Sequence, residues 1–352
     1  MIQCKALTNL LHIDVKGFYT PCCSMVTKNP KNLIVSSTPE EWLASEELLE
    51  VKNKLKNGEW HKDCYVCQLS ENEGRESFRQ IFNNEMVKPE GTIETIHLTT
   101  GNKCNSRCRM CDSYYSSKWA NTLKIFPVEH ELSFKDRYEK IKHLIGPDLT
   151  YLRVAGGEPF LDPEFFEVIE LISEKCPKLN LQFNTNVTFF PEKYIHILDK
   201  IHILRPAYSI DGVGLVNDYI RHDSKWSTTV QVVNKWTDYI HSRSQPKDKP
   251  YFSTTTQAYN FHDQHNIKNF IDSYGLNYFN VSVRYPPWLK VNALPPEYIQ
   301  KHTNEVNKKF VTNYKFDEKA FSRLKENTIA NDKLLGKHIQ EYIPELYELL
   351  NN

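Results

Sequence analysis

The stretch from Thr92 to Thr99 reads Thr-Ile-Glu-Thr-Ile-His-Leu-Thr, alternating and rich in β-branched residues, and predicts a half-buried strand. Five residues later begins Cys104-Asn-Ser-Arg-Cys108-Arg-Met-Cys111, a C-x₃-C-x₂-C run. Thiols on the loop leaving a strand's C-terminal end occupy the face where α/β proteins build active sites. Four thiolates normally hold an iron–sulfur cubane, so three close thiols with no local fourth can hold one and leave an iron open. Closely spaced cysteines also serve zinc, so spacing alone keeps that reading open. A second strand-like run, Tyr151 to Ala155, ends in Gly156-Gly157-Glu158-Pro159. Two glycines there permit a close backbone approach to a ligand.

The rest of the chain alternates between periods of two and of 3.6. Strands are expected at 92–99, 151–155, Leu179–Asn184, Ile203–Ile210, Tyr251–Gln257 and Tyr278–Val283. Helices are expected at Asp136–Ile145, from an Asp162 cap with Pro163 first to about Lys175, and at Trp226–Ile240. Alternation of this kind predicts βα units around a parallel sheet. From Pro296 the chain reads as helices, Glu341–Leu350 most clearly.

A second cysteine set opens the chain. Cys4 is followed by twelve residues, Gly17, four residues and Cys22, and Cys64 and Cys67 form a later C-x₂-C. Gly17 suits a hairpin between Leu11–Val15 and Phe18–Thr20 that would bring Cys4 and Cys22 together. Trp42 and a helix-like Glu40–Lys56 would carry the chain back to Cys64. A four-cysteine zinc site is the alternative here.

On Cys104, Cys108, Cys111 and the Gly156–Pro159 run, the chain resembles the radical S-adenosylmethionine (radical SAM) superfamily. The resemblance implies an α/β fold with a partial (β/α)₆ TIM-like barrel, a [4Fe–4S] cluster on the three cysteines, and S-adenosylmethionine on the open iron. Gly156, Gly157, Glu158 and Pro159 would contact its amino group. Reductive cleavage would give a 5′-deoxyadenosyl radical that abstracts hydrogen from a substrate. Met110 stands where the family often has an aromatic, near the adenine. The N-terminal set resembles the twitch form of the SPASM/twitch auxiliary-cluster module, which implies a second [4Fe–4S] cluster on Cys4, Cys22, Cys64 and Cys67. That module usually follows the catalytic core, and here it precedes it. By the same resemblance Asn186 and Ser209 would bond ribose or carboxylate, Arg221 would pair with the methionyl carboxylate, and Asp211 would face substrate as a base. Gln257 and Asn260 are weaker candidates. The implied division is 1–85 twitch-type α+β domain, 90–290 radical SAM core, and 291–352 helical extension.

Two enzyme readings follow. In one the auxiliary cluster takes an electron from the substrate radical, giving a dehydrogenation or other oxidative modification. In the other the cluster is a relay or structural, and the reaction is an isomerisation or a peptide or protein modification. A noncatalytic zinc-binding scaffold is the reading from another class. The substrate, small molecule or peptide, is open, and a reductant such as flavodoxin or ferredoxin is implied.

Of nine cysteines, Cys23 and Cys176 remain; Cys23 is placed to replace Cys22, and Cys176 ends a helix. Leaderless and cysteine-rich, with no apolar run of membrane-spanning length, the chain is expected in a reducing cytoplasm. Basic and acidic residues balance at 44 each, without the basic run of nonspecific nucleic-acid binding. His97 is expected to be a satisfied interior histidine, His12, His61 and His130 show no ligand spacing, and Pro286-Pro287-Trp288 reads as a rigid turn.

Overall fold

The computed structural model describes residues 1–25, 32–72, 74, 76–125, 132–243 and 248–351; His130 lies outside them. Its strands are β1 Leu10–Ile13, β2 Tyr19–Thr20, β3 Thr95–Thr99, β4 Arg107–Cys108, β5 Tyr151–Ala155, β6 Asn180–Thr185, β7 Ile203–Ser209, β8 Arg221–His222, β9 Tyr251–Thr256 and β10 Asn277–Ser282. Eight form one sheet in the order β10-β9-β7-β6-β5-β3-β1-β2, parallel except for β2. The six expected core strands are all present, β5 to the residue and the others within three. The sheet with its outer helices is a partial α/β barrel.

One strand extends that expectation. β1, read as half of a hairpin with β2, also pairs in parallel with β3, from Leu10↔Thr95 to Ile13↔Leu98. The hairpin forms around Gly17, whose φ of +80° a side chain would strain. The chain's first strand therefore continues the barrel sheet, and Cys22 leaves β2 beside that edge. Buried Arg137 secures the junction, donating to the carbonyls of Asp14, Val15 and Thr99 at 2.9–3.2 Å.

Helix boundaries moved for local reasons. Glu40–Lys56 is two helices, Pro39–Leu43 and Glu46–Lys56, because Ser45 caps the second by accepting from Leu48 N (3.3 Å). The helix expected from Pro163 starts at Phe165, after a 3₁₀ turn at Pro159–Leu161. Asp136–Ile145 is Phe134–Ile141 followed by a 3₁₀ turn. Glu341–Leu350 is broken at Pro344, which lacks the N–H a continuous helix needs, and the longest C-terminal helix is Glu318–Leu335. Among the described residues no helix is long and apolar enough to cross a membrane.

Alternation sorts the strands' two faces. Leu152, Val154, Leu181, Phe183, Leu204 and Tyr208 turn outward into the core shared with the helices, around buried Trp236. Tyr151, Arg153, Gln182, Arg205, Ser253 and Thr255 take the other face, only half-buried, and line the barrel interior. Trp288 packs into a second core with the C-terminal helices, so the Pro286–Trp288 turn is a packing element.

Candidate active site

The cysteine loop is clasped to the end of β5 mainly through backbone, with Thr100 Oγ1 also donating to Ala155 O (3.3 Å). Thr100 N donates to Ala155 O (2.9 Å), Gly157 N to Gly101 O (2.8 Å) and Glu158 N to Lys103 O (2.7 Å). A Cβ on Gly156 would lie 2.6 Å from Gly101 O, and one on Gly157 2.2 Å from Lys103 O. The absence of a side chain at both positions therefore lets the cysteine loop pack directly on the end of β5. Side chains complete the loop. Cys104 N donates to Ser117 Oγ (3.1 Å), Trp119 Nε1 to Cys108 O (2.9 Å) and Ser116 Oγ to Ser106 O (2.7 Å).

Cys104, Cys108 and Cys111 come together there, each thiol raised by burial and by its neighbours' charge, Cys108 to about 11. Arg221 works against that shift at Cys104 and Cys108, favouring thiolate. It is brought there by β4–β8 pairing, which sets Cys108 opposite Arg221. Three thiols beside one buried guanidinium form a donor set for an iron–sulfur cluster.

Asp211 Oδ2 accepts from Arg221 Nη1 at 2.7 Å, and its Oδ1 from Thr255 N at 2.8 Å. Its backbone is held by Asn217 and by Asn260 Nδ2. The residue expected as a base therefore has both oxygens committed, and Asn260 serves as its support. Gln257 is buried, with no hydrogen-bond partner for its side chain.

Glu158 spans two strand ends. Its Oε2 accepts from Asn186 N at 2.7 Å, while burial pushes its carboxyl up to about 7. Asn186 in turn donates through Nδ2 to Asn105 Oδ1 (2.7 Å), and Asn105 Nδ2 donates to Thr188 Oγ1 (2.9 Å). Asn186 is thus tied to the residue next to Cys104. Ser209 ends β7, half-buried on the interior face, and half-buried Met110 packs against the second core. Buried Pro159 opens the 3₁₀ turn.

The N-terminal set converges as well. Cys4, Cys22, Cys64 and Cys67 line one cavity of about 30 Å³, with Met25, Trp60, Arg79 and Phe82. Burial raises all four thiols, Cys4 to about 11 and Cys64 to about 12, with neighbouring thiolates adding to it at Cys4, Cys22 and Cys64 and the Glu71 carboxylate at Cys67. His61 accepts from Asp63 N (3.2 Å) and shapes the turn at Cys64. Among the described residues no three Cys, His, Asp or Glu close on a point as a single ion requires. Zinc would draw sulfurs to about 2.3 Å from one centre. Cys23 is exposed and Cys176 buried, its Sγ 3.1 Å from Gly146 O.

Two clusters escaped the sequence reading. Buried Arg109, next to Cys108, pairs with Asp332 of the C-terminal helix at 2.7 Å and lies 3.6 Å from the Tyr219 ring centroid. Inside the barrel, Arg153 and Arg205 share Glu85. The available signal was an arginine at an interior position of each strand.

Residues 98–245 match the family described as the Radical SAM superfamily. The chain is 28% identical over 122 residues to a GTP 3′,8-cyclase of Campylobacter curvus, 35% of this chain and 36% of that protein. It is 26% identical over 101 residues to the GTP 3′,8-cyclase of a Sulfurovum species, 29% of each. The chain thus spans about a third of the length of these curated relatives. Among solved structures, anSMEcpe with bound AdoMet aligns with a TM-score of 0.44 at 16% identity, over 69% of this chain and 62% of that one. Streptococcus suis SuiB bound to S-adenosylmethionine aligns at 0.42 and 11%, over 75% and 58%.

Proposed function

From a chain that carries a radical SAM domain over residues 98–245, we propose an enzyme that cleaves S-adenosylmethionine reductively and oxidises a small-molecule substrate. When bound, a [4Fe–4S] cluster supplies the electron for that cleavage, and the 5′-deoxyadenosyl radical released takes hydrogen from the substrate. Cys104, Cys108 and Cys111 would hold it. Gly156 and Gly157 keep their loop in place, and Glu158 and Asn186 lock it to the end of β6. Arg221, aimed by Asp211, is a fixed cation for the methionyl carboxylate, since Arg suits bidentate binding. Asp211 is thus assigned a positioning role. Ser209 and Met110 border the same mouth and are assigned to the ribose and adenine sides.

A second [4Fe–4S] cluster on Cys4, Cys22, Cys64 and Cys67 would supply an acceptor for the electron shed by the substrate. The observation favouring an acceptor over a remote structural site is Phe82, which lines that cavity and lies 5.2 Å from the Arg153 guanidinium in the barrel. The segments 1–85, 90–290 and 291–352 are assigned as auxiliary-cluster module, catalytic core and helical extension. An external one-electron reductant such as flavodoxin or ferredoxin completes the scheme. A small molecule is preferred because the matched relatives are named for GTP.

The observation that carries this proposal is the three-cysteine loop, its backbone clasped to Gly157 and Glu158 at a strand end and Arg221 acting on two of its thiols. The test is anaerobic reconstitution, reduction with dithionite, addition of S-adenosylmethionine and mass-spectrometric assay of 5′-deoxyadenosine. Formation that vanishes in Cys108→Ala supports it. Zinc in place of iron at the triad would refute it.

A further inference from the structure

Strand register lays one row of polar side chains across the barrel interior: His12↔His97↔Arg153↔Gln182↔Arg205. The two arginines reach a single carboxylate, Glu85, at the end of the helix Phe78–Glu85. Arg205 also lies 3.4 Å from Tyr151 Oη. Both guanidinium side chains stay accessible, at 15% and 19%, as does Glu85 at 23%. A third arginine, Arg284, is exposed after β10 and stands 5.7 Å from the Phe78 ring centroid. Two guanidinium groups therefore share one carboxylate, with a third, Arg284, against the same helix. The next interior acid, Asp211, is already matched by Arg221.

A low-dielectric barrel wall focuses such an excess of positive charge, and the planar fork of Arg suits carboxylate and phosphate oxygens. Arg153 lies two residues below the end of β5, roughly 7 Å beneath the mouth at the rise of a strand. An anion seated there leaves the remainder of its molecule at the level of the cysteine loop, with Phe82 between it and the N-terminal cavity. Phe279, at 6.1 Å from Phe78 and 6.5 Å from Tyr251, adds an aromatic wall beside it.

We propose that the barrel binds its substrate through an anionic group, phosphate or carboxylate, held by Arg153, Arg205 and Arg284, with Glu85 holding the first two arginines in place when the site is empty. This rests on the enzyme reading above for its purpose, but its test does not depend on radical chemistry. Reconstituted protein without S-adenosylmethionine is titrated calorimetrically at low ionic strength with pyrophosphate and, separately, with succinate. Binding of either supports the site, and the tighter probe assigns the group. Arg153→Gln and Arg205→Gln should each weaken binding about tenfold, the loss of one charge-assisted contact. Glu85→Gln should tighten it severalfold by removing the competing carboxylate, a change of sign that a structural role for Glu85 would not produce. No heat from either probe at ~10 mM, or unchanged affinity in both arginine variants, overturns the proposal. Should those variants fail to fold, Glu85→Gln decides alone: unchanged or weaker binding overturns it. A wild type that makes 5′-deoxyadenosine but binds neither anion sinks this inference and spares the enzyme reading; the converse result does the opposite.

Discussion

Gly157→Ala should release the cysteine loop from β5. The added Cβ would lie 2.2 Å from Lys103 O, 2.7 Å from Lys103 C and 2.8 Å from Asn102 C, all backbone atoms that no rotamer change can move. Overpacking of this kind costs about 1–3 kcal/mol. Separating the loops also loses the bonds from Gly157 N to Gly101 O and from Glu158 N to Lys103 O, at about 1 kcal/mol each. The sum is about 3–5 kcal/mol. With an unfolding entropy of roughly 2.1 cal/mol/K per residue, a chain this long should lose about 4–7 °C in Tm. Gly146→Ala is the control: its Cβ meets nothing within 4 Å, so its effect should stay within about 0.5 kcal/mol. The assay is paired calorimetric melts with iron counts on reconstituted protein. Iron should fall from about eight per chain toward about four as the triad loosens. A variant that melts within about 1 °C of wild type and keeps its iron would refute the clasp.

Three further outcomes are expected. Cys64→Ala and Cys108→Ala should each lose about four irons, whereas Cys23→Ala and Cys176→Ala keep about eight; loss in Cys23→Ala would make Cys23 the ligand in place of Cys22. Asp332→Ala strands the buried Arg109 charge and removes the acceptor for Tyr219 Oη and Ile339 N, so denaturant titration should show a loss of about 3–5 kcal/mol. Burial lowers His262 from 6.5 to about 4, so the unfolded chain takes up its proton first as pH falls. That stability is complete above about pH 6.5 and drains away toward pH 4. In His262→Gln the urea midpoint should fall less steeply across that window, and an identical slope would count against it.

Much of the barrel was legible because parallel strands bury one face and carry β-branched and aromatic runs bounded by turn residues. Tyr151–Ala155 was found to the residue for that reason. Ends were less legible where a side chain decided them: Ser45 split one helix by capping the next, and Pro344 another by lacking an N–H. The cysteine triad was legible because its spacing is local.

Long-range relations were not. Chemistry carried by Cys104-x₃-Cys108-x₂-Cys111 and by the Gly-Gly turn is written in neighbouring residues, so sequence alone determined the donor set and the strand end that bears it. Tertiary structure alone decided that Gly156 and Gly157 yield space to the cysteine loop, that Asp211 is spent on Arg221, that Asp332 reaches Arg109 from 223 residues away, and that β1 joins the barrel. Each depends on which strand lies beside which and in what register. A one-residue slip would turn Arg153 and Arg205 from the interior to the helix-covered face. Register is set by packing across the whole sheet, and no local pattern encodes it.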